Sequence, residues 1–395
     1  MMISPPMTTS STSTRPLPAN RYDRLEWAGA FGDLGTLIPF VVAYISVLKL
    51  DPVGVLFGFG VSMVAVGLIY KTPFPVQPMK AAGAVATTQA AQTATITQGA
   101  VIGAGLVTGL IWLLLGATGL AQRVTRLISR PVAQGIVLGL GLGFMLQGAK
   151  FMSSQWVLAG AGLLITVLMA RSRRLPSIFL VLLLGVIWTA VDNPALFKTL
   201  STAAPQWRWP ELGWAKIGWN DLVVGTLFLA LPQVPLTLGN AVIAIREENN
   251  RLFPDRPVSD RKVAVSTGIL NLFGSSVGGV PMCHGAGGMA GHVAFGARTG
   301  GSLVILGAML LVTSLVFSNS VMAVFAVIPS ALLGTILFMT GVQLASGQFD
   351  QTRDAASSTV LLVTAGLTMW NVGIGFVVGI LLQVLLSRDT GATAS

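Results

Sequence analysis

The chain has 395 residues, 53% of them hydrophobic and only 10% charged; soluble domains carry roughly 25% charged residues, so an ordinary soluble enzyme is excluded. Its 24 Lys and Arg against 14 Asp and Glu give a net charge of +10, but most basic residues fall in short breaks between apolar runs, which reads as membrane topology rather than a nucleic-acid surface. One cysteine, Cys283, excludes an intrachain disulfide, and with two histidines it leaves too few of the usual ligands for a Cys/His metal site.

Residues 1–20 are rich in Ser, Thr and Pro and have no apolar core, so a disordered cytoplasmic tail is expected there rather than a signal peptide or a span. Apolar segments follow near residues 27–48, 53–70, 73–92, 98–119, 131–148, 156–170, 176–191, 221–245, 263–277, 280–296, 300–318, 321–345, 354–370 and 372–386. Several are shorter than the ~20 residues of a straight spanning helix, and the pattern alone bounds the count between 12 and 14. Charge favours fourteen. With a cytoplasmic N-terminus, alternate breaks collect 18 Lys and Arg inside against five outside, the bias of cytoplasmic loops. Both termini are therefore expected in the cytoplasm.

Two long polar connections stand out: 246–262, which is strongly charged, and 193–220, which carries Trp207, Trp209, Trp214 and Trp219 and is expected outside the cytoplasm. The second divides a first repeat of seven spans, residues 21–192, from a second, residues 221–387, with a short cytoplasmic tail at 388–395. An odd number of spans per half gives the halves opposite orientation, the arrangement of an inverted-topology repeat. Asp33-Leu34-Gly35-Thr36 in the first span has a short likeness to Asp221-Leu222-Val223-Val224-Gly225-Thr226 in the eighth. The expected fold class is thus an all-α polytopic membrane protein of about 14 transmembrane segments in 7+7 inverted repeats.

The third span of each half carries the chemistry. Thr72-Pro73-Phe74-Pro75-Val76-Gln77-Pro78 holds three prolines in six residues, each removing a donor and pushing its predecessor toward extended backbone. Residues 72–77 are therefore expected extended, with a helix beginning at Pro78, where proline suits the first turn. Six extended residues cover about 20 Å against a hydrocarbon half-thickness of ~15 Å, so that helix starts near mid-membrane. Gly278-Gly279-Val280-Pro281 repeats the pattern from the other side, Pro78-Met79-Lys80 aligning with Pro281-Met282-Cys283. Two half-helices, each preceded by a short extended segment, then present their N-termini to one another, and each offers open N–H groups and roughly half a positive charge to an anion. Paired interrupted segments of this kind point to a transporter binding site.

Lys80 brings the local charge to about +2, suited to a small dianion. The expected substrate-binding set is Gln77, Pro78, Met79, Lys80 and Ala81 from the first segment and Pro281, Met282, Cys283, His284, Gly285, Ala286 and Gly287 from the second. Gln233, between Pro232 and Pro235, joins it as a neutral hydrogen-bonding group. Each has a plainer reading: Lys80 snorkelling to an interface, His284 and His292 as packed histidines, Cys283 as a small core residue. Asp33 is the clearest intramembrane acid and is expected to couple an ion, a proton above all, or to balance Lys80 in the empty state; its plainer reading is an acid at the cytoplasmic edge near Arg24.

Phe31-Gly32-Asp33-Leu34-Gly35-Thr36, Pro73-Phe74-Pro75-Val76-Gln77-Pro78-Met79-Lys80, Leu238-Gly239-Asn240-Ala241, Cys283-His284-Gly285-Ala286-Gly287-Gly288 and Phe295-Gly296-Ala297-Arg298-Thr299-Gly300 together resemble the molybdate transporter family related to sulfate permeases, over nearly the whole membrane part. Ile328-Pro329-Ser330-Ala331, running on to Gly341, also looks like the sulfate-permease pattern. The resemblance implies seven plus seven inverted repeats split into core and gate domains, with substrate held between the third and tenth helices. Many such permeases end in a cytoplasmic regulatory domain; here 388–395 are all that follow the last span, and regulation through such a domain is not expected.

The expected function is a secondary active transporter in the cell membrane, importing molybdate by ion-coupled alternating access, symport included. Its expected partners are the oxyanion and the lipid bilayer, with no nucleic acid and no cofactor, and a homodimer stays open. No Gly-x-x-x-x-Gly-Lys-Ser/Thr loop occurs in the sequence, so energy from a nucleotide is not expected. The alternatives are a sulfate or other oxyanion transporter or exchanger, an anion channel and, more remotely, a membrane-embedded enzyme using Asp33, Cys283 and His284.

Overall fold

A computed structural model of the chain describes residues 19–80, 82–83, 95–125, 129–169, 177–202, 204–346, 355–370 and 372–392. Helix starts follow the chemistry of each break. Asp23 accepts the amides of Leu25 and Glu26 ahead of helix Arg24–Ala30, and Asp51 accepts that of Val53 ahead of Pro52–Tyr70. Thr97 caps Gln98–Ala117 through Ala100, and Ser259 caps Asp260–Ser276 through Lys262. Each cap satisfies a donor that the first helical turn leaves open, worth ~1 kcal/mol.

The apolar runs fall on helices to within a few residues, from Arg24–Ala30 and Leu34–Ser46, joined by the 3-10 turn Phe31–Asp33, to Val372–Ala392 at the other end. Half of the expected span 73–92 and nearly all of the expected tail 1–20 lie outside the described residues. Among the described residues, five helical runs are long and apolar enough to cross a membrane: Arg24–Ile45, Pro52–Tyr70, Gln98–Ala117, Arg130–Met152 and Gly301–Ala326.

Two segments differ from expectation. The run 321–345 is two helices, Val321–Ala326 and Ser330–Ser346, because Pro329 turns the residue before it away from helical backbone. The connection 193–220 contains a helix, Pro194–Ser201, bent 101° from Ser177–Asp192. Residues 219–252 stay helical throughout, but their turns widen to π-helix at Gly225–Ala230 and Thr237–Ala244, on either side of Leu231–Leu236. Pro232 and Pro235 each lack an N–H, so the backbone there cannot keep the regular α-helical ladder.

The only sheet among the described residues is a pair of two-residue strands, β1 (Gln77–Pro78) and β2 (Met282–Cys283), running antiparallel with Gln77 opposite Cys283 and Pro78 opposite Met282. The largest hydrophobic cluster surrounds it, with Tyr44, Phe59, Phe74, Met79 and Trp112 all fully buried. To one side, Arg130–Met152 makes its most extensive contact with Ser330–Ser346. Their backbones touch: a Cβ placed on Gly148 would lie 2.7 Å from the Gly334 carbonyl oxygen, and one on Gly334 2.7 Å from that of Gly148. Close glycine crossings are how helices gain dispersion contact in lipid, where no hydrophobic force joins them. Gly148→Val is expected to lower the unfolding temperature in detergent, at a cost of about 1–3 kcal/mol from overpacking, whereas Gly160→Ala, where a Cβ meets nothing, leaves it unchanged.

Candidate functional site

Both ends of the sheet pair lead into helices, later than the sequence suggests. After β1 the Met79 amide donates to the Pro281 carbonyl at 2.9 Å, and helical backbone begins at Lys80 rather than at Pro78. After β2 the helix is Ala286–Ala294, with Gly285 at its N-cap, five residues beyond Pro281. The cause is the pairing itself, since residues engaged in the bridge are held extended and cannot enter a helical turn.

Side chains complete the bridge. Asn271, on the Asp260–Ser276 helix, donates to the Met282 carbonyl at 2.5 Å and accepts the Met282 amide at 2.9 Å, acting as a third strand along the outer edge of β2. His284 has protein partners on both ring nitrogens: Nδ1 lies 2.8 Å from the Pro75 carbonyl and Nε2 2.7 Å from the Ser266 hydroxyl. A carbonyl only accepts, so Nδ1 carries the hydrogen and Nε2 of the neutral ring accepts from Ser266. The Tyr70 hydroxyl stands 2.7 Å from Ser266, and the Phe74 ring meets His284 edge-on at 4.8 Å. His284, expected to offer a donor to the substrate, instead clamps the first extended segment to the second.

On the other side of the bridge the groups are only half engaged. Gln77 Nε2 donates to Asp33 Oδ1 at 2.6 Å and to Thr36 at 2.9 Å, and the Thr36 hydroxyl also donates to Asp33 Oδ1. Asp33 is 1% exposed. A Cβ on Gly288 would lie 2.9 Å from Asp33 Oδ2, and one on Gly285 would collide with Gln77 Oε1. Lys80 Nζ sits 4.0 Å over the Phe144 ring, a cation–π contact, and the same ring lies against Gly287. The ammonium therefore stands by the first turn of Ala286–Ala294, whose leading N–H groups have no partner within the helix. Gln233 accepts the Ala82 amide at 3.1 Å and donates to Thr237, bracketing the turn that follows Lys80. Met79, Pro281, Met282, Cys283 and Ala286 are buried around the bridge, and Ala81 lies outside the described residues.

Buried polar atoms without a hydrogen-bond partner gather at this place: Lys80 Nζ, Gln77 Oε1, Asp33 Oδ2, Asn240 Oδ1, Tyr44 Oη and His292 Nε2. Such atoms are rare in proteins and each calls for an explanation, which a polar ligand supplies. Sequence reasoning missed Asn240, Tyr44 and Phe144 as members of the set. Asn240 carried a signal, a polar residue within an apolar run. Tyr44, with Oη 3.1 Å from where a Gly83 Cβ would lie, and Phe144 carried none, because only packing brings them here.

A family model described as molybdate transporter of the MFS superfamily matches residues 25–144 and 225–344. Molybdate transporter 2 of Arabidopsis thaliana is 33% identical over 416 residues, covering 92% of this chain and 88% of that protein. The chain belongs to the molybdate transporter family. It is an integral membrane transporter and not an enzyme. Among solved structures its fold is similar to the transmembrane domain of a cyanobacterium bicarbonate transporter, BicA, with TM-score 0.52 and 16% identity over 91% of this chain and 97% of that one. It is also similar to the murine anion transporter Slc26a9 in the inward-facing state, with TM-score 0.61 and 13% identity over 95% of this chain and 70% of that one.

The transporter's bridge depends on Asn271. Asn271→Ala leaves the buried Met282 amide and carbonyl without these partners, at about 1–3 kcal/mol per group, and a lowered thermal midpoint in detergent is the expected readout.

Proposed function

We propose that this transporter imports molybdate, a tetrahedral dianion, bound between the segment leading into Lys80 and the N-terminus of Ala286–Ala294. The observation that carries the reading is the buried Lys80 ammonium, which has no hydrogen-bond partner and stands beside that helix start. A full positive charge plus the half-charge of a helix N-terminus is costly to leave uncompensated away from water, and a doubly charged oxyanion compensates it. Tyr44 Oη is a further open donor, and the backbone amides of Gly285, Ala286 and Gly287 complete the cradle. Gln77, Pro78, Met79, Pro281, Met282, Cys283 and Gln233 shape it, and His284 holds it together. The names of the curated relatives support molybdate as the ion carried.

The transport cycle is ion-coupled alternating access, with Asp33 as the coupling group and no nucleotide consumed. The chain forms two seven-span repeats, residues 21–192 and 221–387, of opposite orientation, joined by 193–220 on the extracytoplasmic side. Both tails, 1–20 and 388–395, lie in the cytoplasm and the host is the cell membrane. Two observations support the repeat: one family model matches two stretches of equal length, 25–144 and 225–344, and the antiparallel bridge joins corresponding segments of the two halves. A core domain carries the anion across by rigid-body movement relative to a gate domain.

Uptake of radiolabelled molybdate into proteoliposomes holding the purified chain tests the substrate. Uptake is expected to be saturable, competed by tungstate and less so by sulfate. Lys80→Ala should lower it at least tenfold, the loss of one charge-assisted bond of about 1.5–3 kcal/mol, with the unfolding midpoint retained. Undiminished uptake by Lys80→Ala would remove the lysine from the mechanism, and stronger competition by sulfate would reassign the substrate.

A further inference from the structure

Two of the open atoms belong together and are not explained by an anion. His292 is fully buried, and its Nδ1 lies 2.7 Å from the Gly29 carbonyl. A carbonyl only accepts, so Nδ1 carries the hydrogen and the neutral ring turns a bare lone pair outward at Nε2, which has no partner. Asp33 spends Oδ1 on Gln77 and Thr36 and keeps Oδ2 without a partner. Backbone packing sets the two side by side. A Cβ on Gly32 would overlap the Gly291 carbonyl and lie 2.9 Å from the backbone nitrogen of His292, and one on Gly288 would lie 2.9 Å from Asp33 Oδ2. Gly288 and His292 are four residues apart on one helix and so share a face. The two groups also interact electrostatically.

We propose that Asp33 Oδ2 and His292 Nε2 form one proton-binding site, the site of the ion carried with the anion. The inference rests on the transport reading above and adds to it the nature of the coupling ion and its second ligand. Two buried acceptors facing one region have no stable arrangement between themselves; a single proton, forming an O–H or N–H bond at either atom, turns one acceptor into a donor for the other, directly or through water. An anion would be repelled by both lone pairs, whereas a proton suits both.

The charges around the pair favour loading the proton together with the anion. Lys80 and Cys283 face Asp33 from the bridge. The helix Ser330–Ser346 brings only neutral groups, with Thr340 directed to the Gly32 carbonyl. On Ile245–Leu252, Glu248 is paired with Arg251, and Arg246 with Glu247 and Asp260. Glu26, earlier in the same span as Asp33, accepts the amides of Arg298, Thr299 and Ser302. Lys80 is thus the cation that faces Asp33. When a dianion engages Lys80, the carboxylate loses its counter-charge, and a proton on the Asp33–His292 site restores the balance. The anion and the proton then load together, and by linkage each strengthens the other's binding.

The test is His292→Asn in proteoliposomes of the full chain, since an asparagine amide reproduces the donor to the Gly29 carbonyl but has nothing in place of Nε2. Wild type is expected to acidify a lumen loaded with a pH-sensitive dye when molybdate is added outside, and to take up more as the outer pH falls. His292→Asn should still bind molybdate, read as thermal stabilisation by the ion, while acidification falls on the order of tenfold and uptake loses its dependence on pH. Asp33→Asn gives the same loss of acidification and serves if His292→Asn is not recovered folded. A wild-type pH profile and acidification in His292→Asn overturns the proton site while leaving molybdate transport standing, as does wild-type uptake driven by sodium without acidification. No molybdate binding or uptake by the wild type overturns the transport reading, and this inference with it.

Discussion

A bridge of two residues on each side, Gln77–Pro78 against Met282–Cys283, is the contact on which the rest of the molecule depends. Extended backbone in a membrane protein is tolerated only where its polar groups are satisfied by protein or by a water-lined cavity, and a two-stranded ribbon this short has no independent stability. The chain meets the requirement with side chains. Asn271 completes β2, His284 ties Pro75 to Ser266, and Gln77 ties β1 to Asp33 and Thr36. Segments roughly 200 residues apart in sequence are thereby held with helices departing from both.

A division of labour within single side chains follows. Asp33 anchors through one oxygen and leaves the other open; Gln77 anchors through its nitrogen and leaves its oxygen; His292 anchors through Nδ1 and leaves Nε2. Each open atom is held in position by the bond its twin makes, so binding need not pay for ordering it, which is what preorganisation means in energetic terms. The fully engaged groups, Asn271 and His284, are framework. Lys80 has only the Phe144 ring beneath it and is the most exposed energetically of all, a buried cation awaiting an anion.

Much of this was legible from residue types alone. Three prolines around Gln77 and Gly-Gly-Val-Pro before Met282 mark interrupted segments because proline cannot donate and glycine costs entropy in a helix. Lys80 and Asp33 stand out because ionisable groups inside apolar runs are expensive. The two histidines are eight residues apart and both admit a packed reading; His284, expected to offer a donor to the ligand, has both nitrogens engaged, whereas His292, whose role the residues leave open, keeps one free. Nothing in the sequence separates them, since the difference lies in whether Ser266 or Asp33 stands opposite. Proline suits a first turn, so local rules put the helix starts at the prolines; the strand pairing, which no local rule reports, moves both downstream.

The sequence by itself determined a helical membrane protein, its family, and the two places where helices are interrupted, because apolar run length, proline and buried charge act locally on the backbone. Tertiary structure alone decided which atoms are left open: the backbone contact of Gly32 with Gly291, the Phe144 ring beneath Lys80 and the bonds that occupy His284 all join residues far apart in the chain. Whether a buried polar atom is satisfied depends on what packing brings opposite it, and that is a property of the fold rather than of any segment.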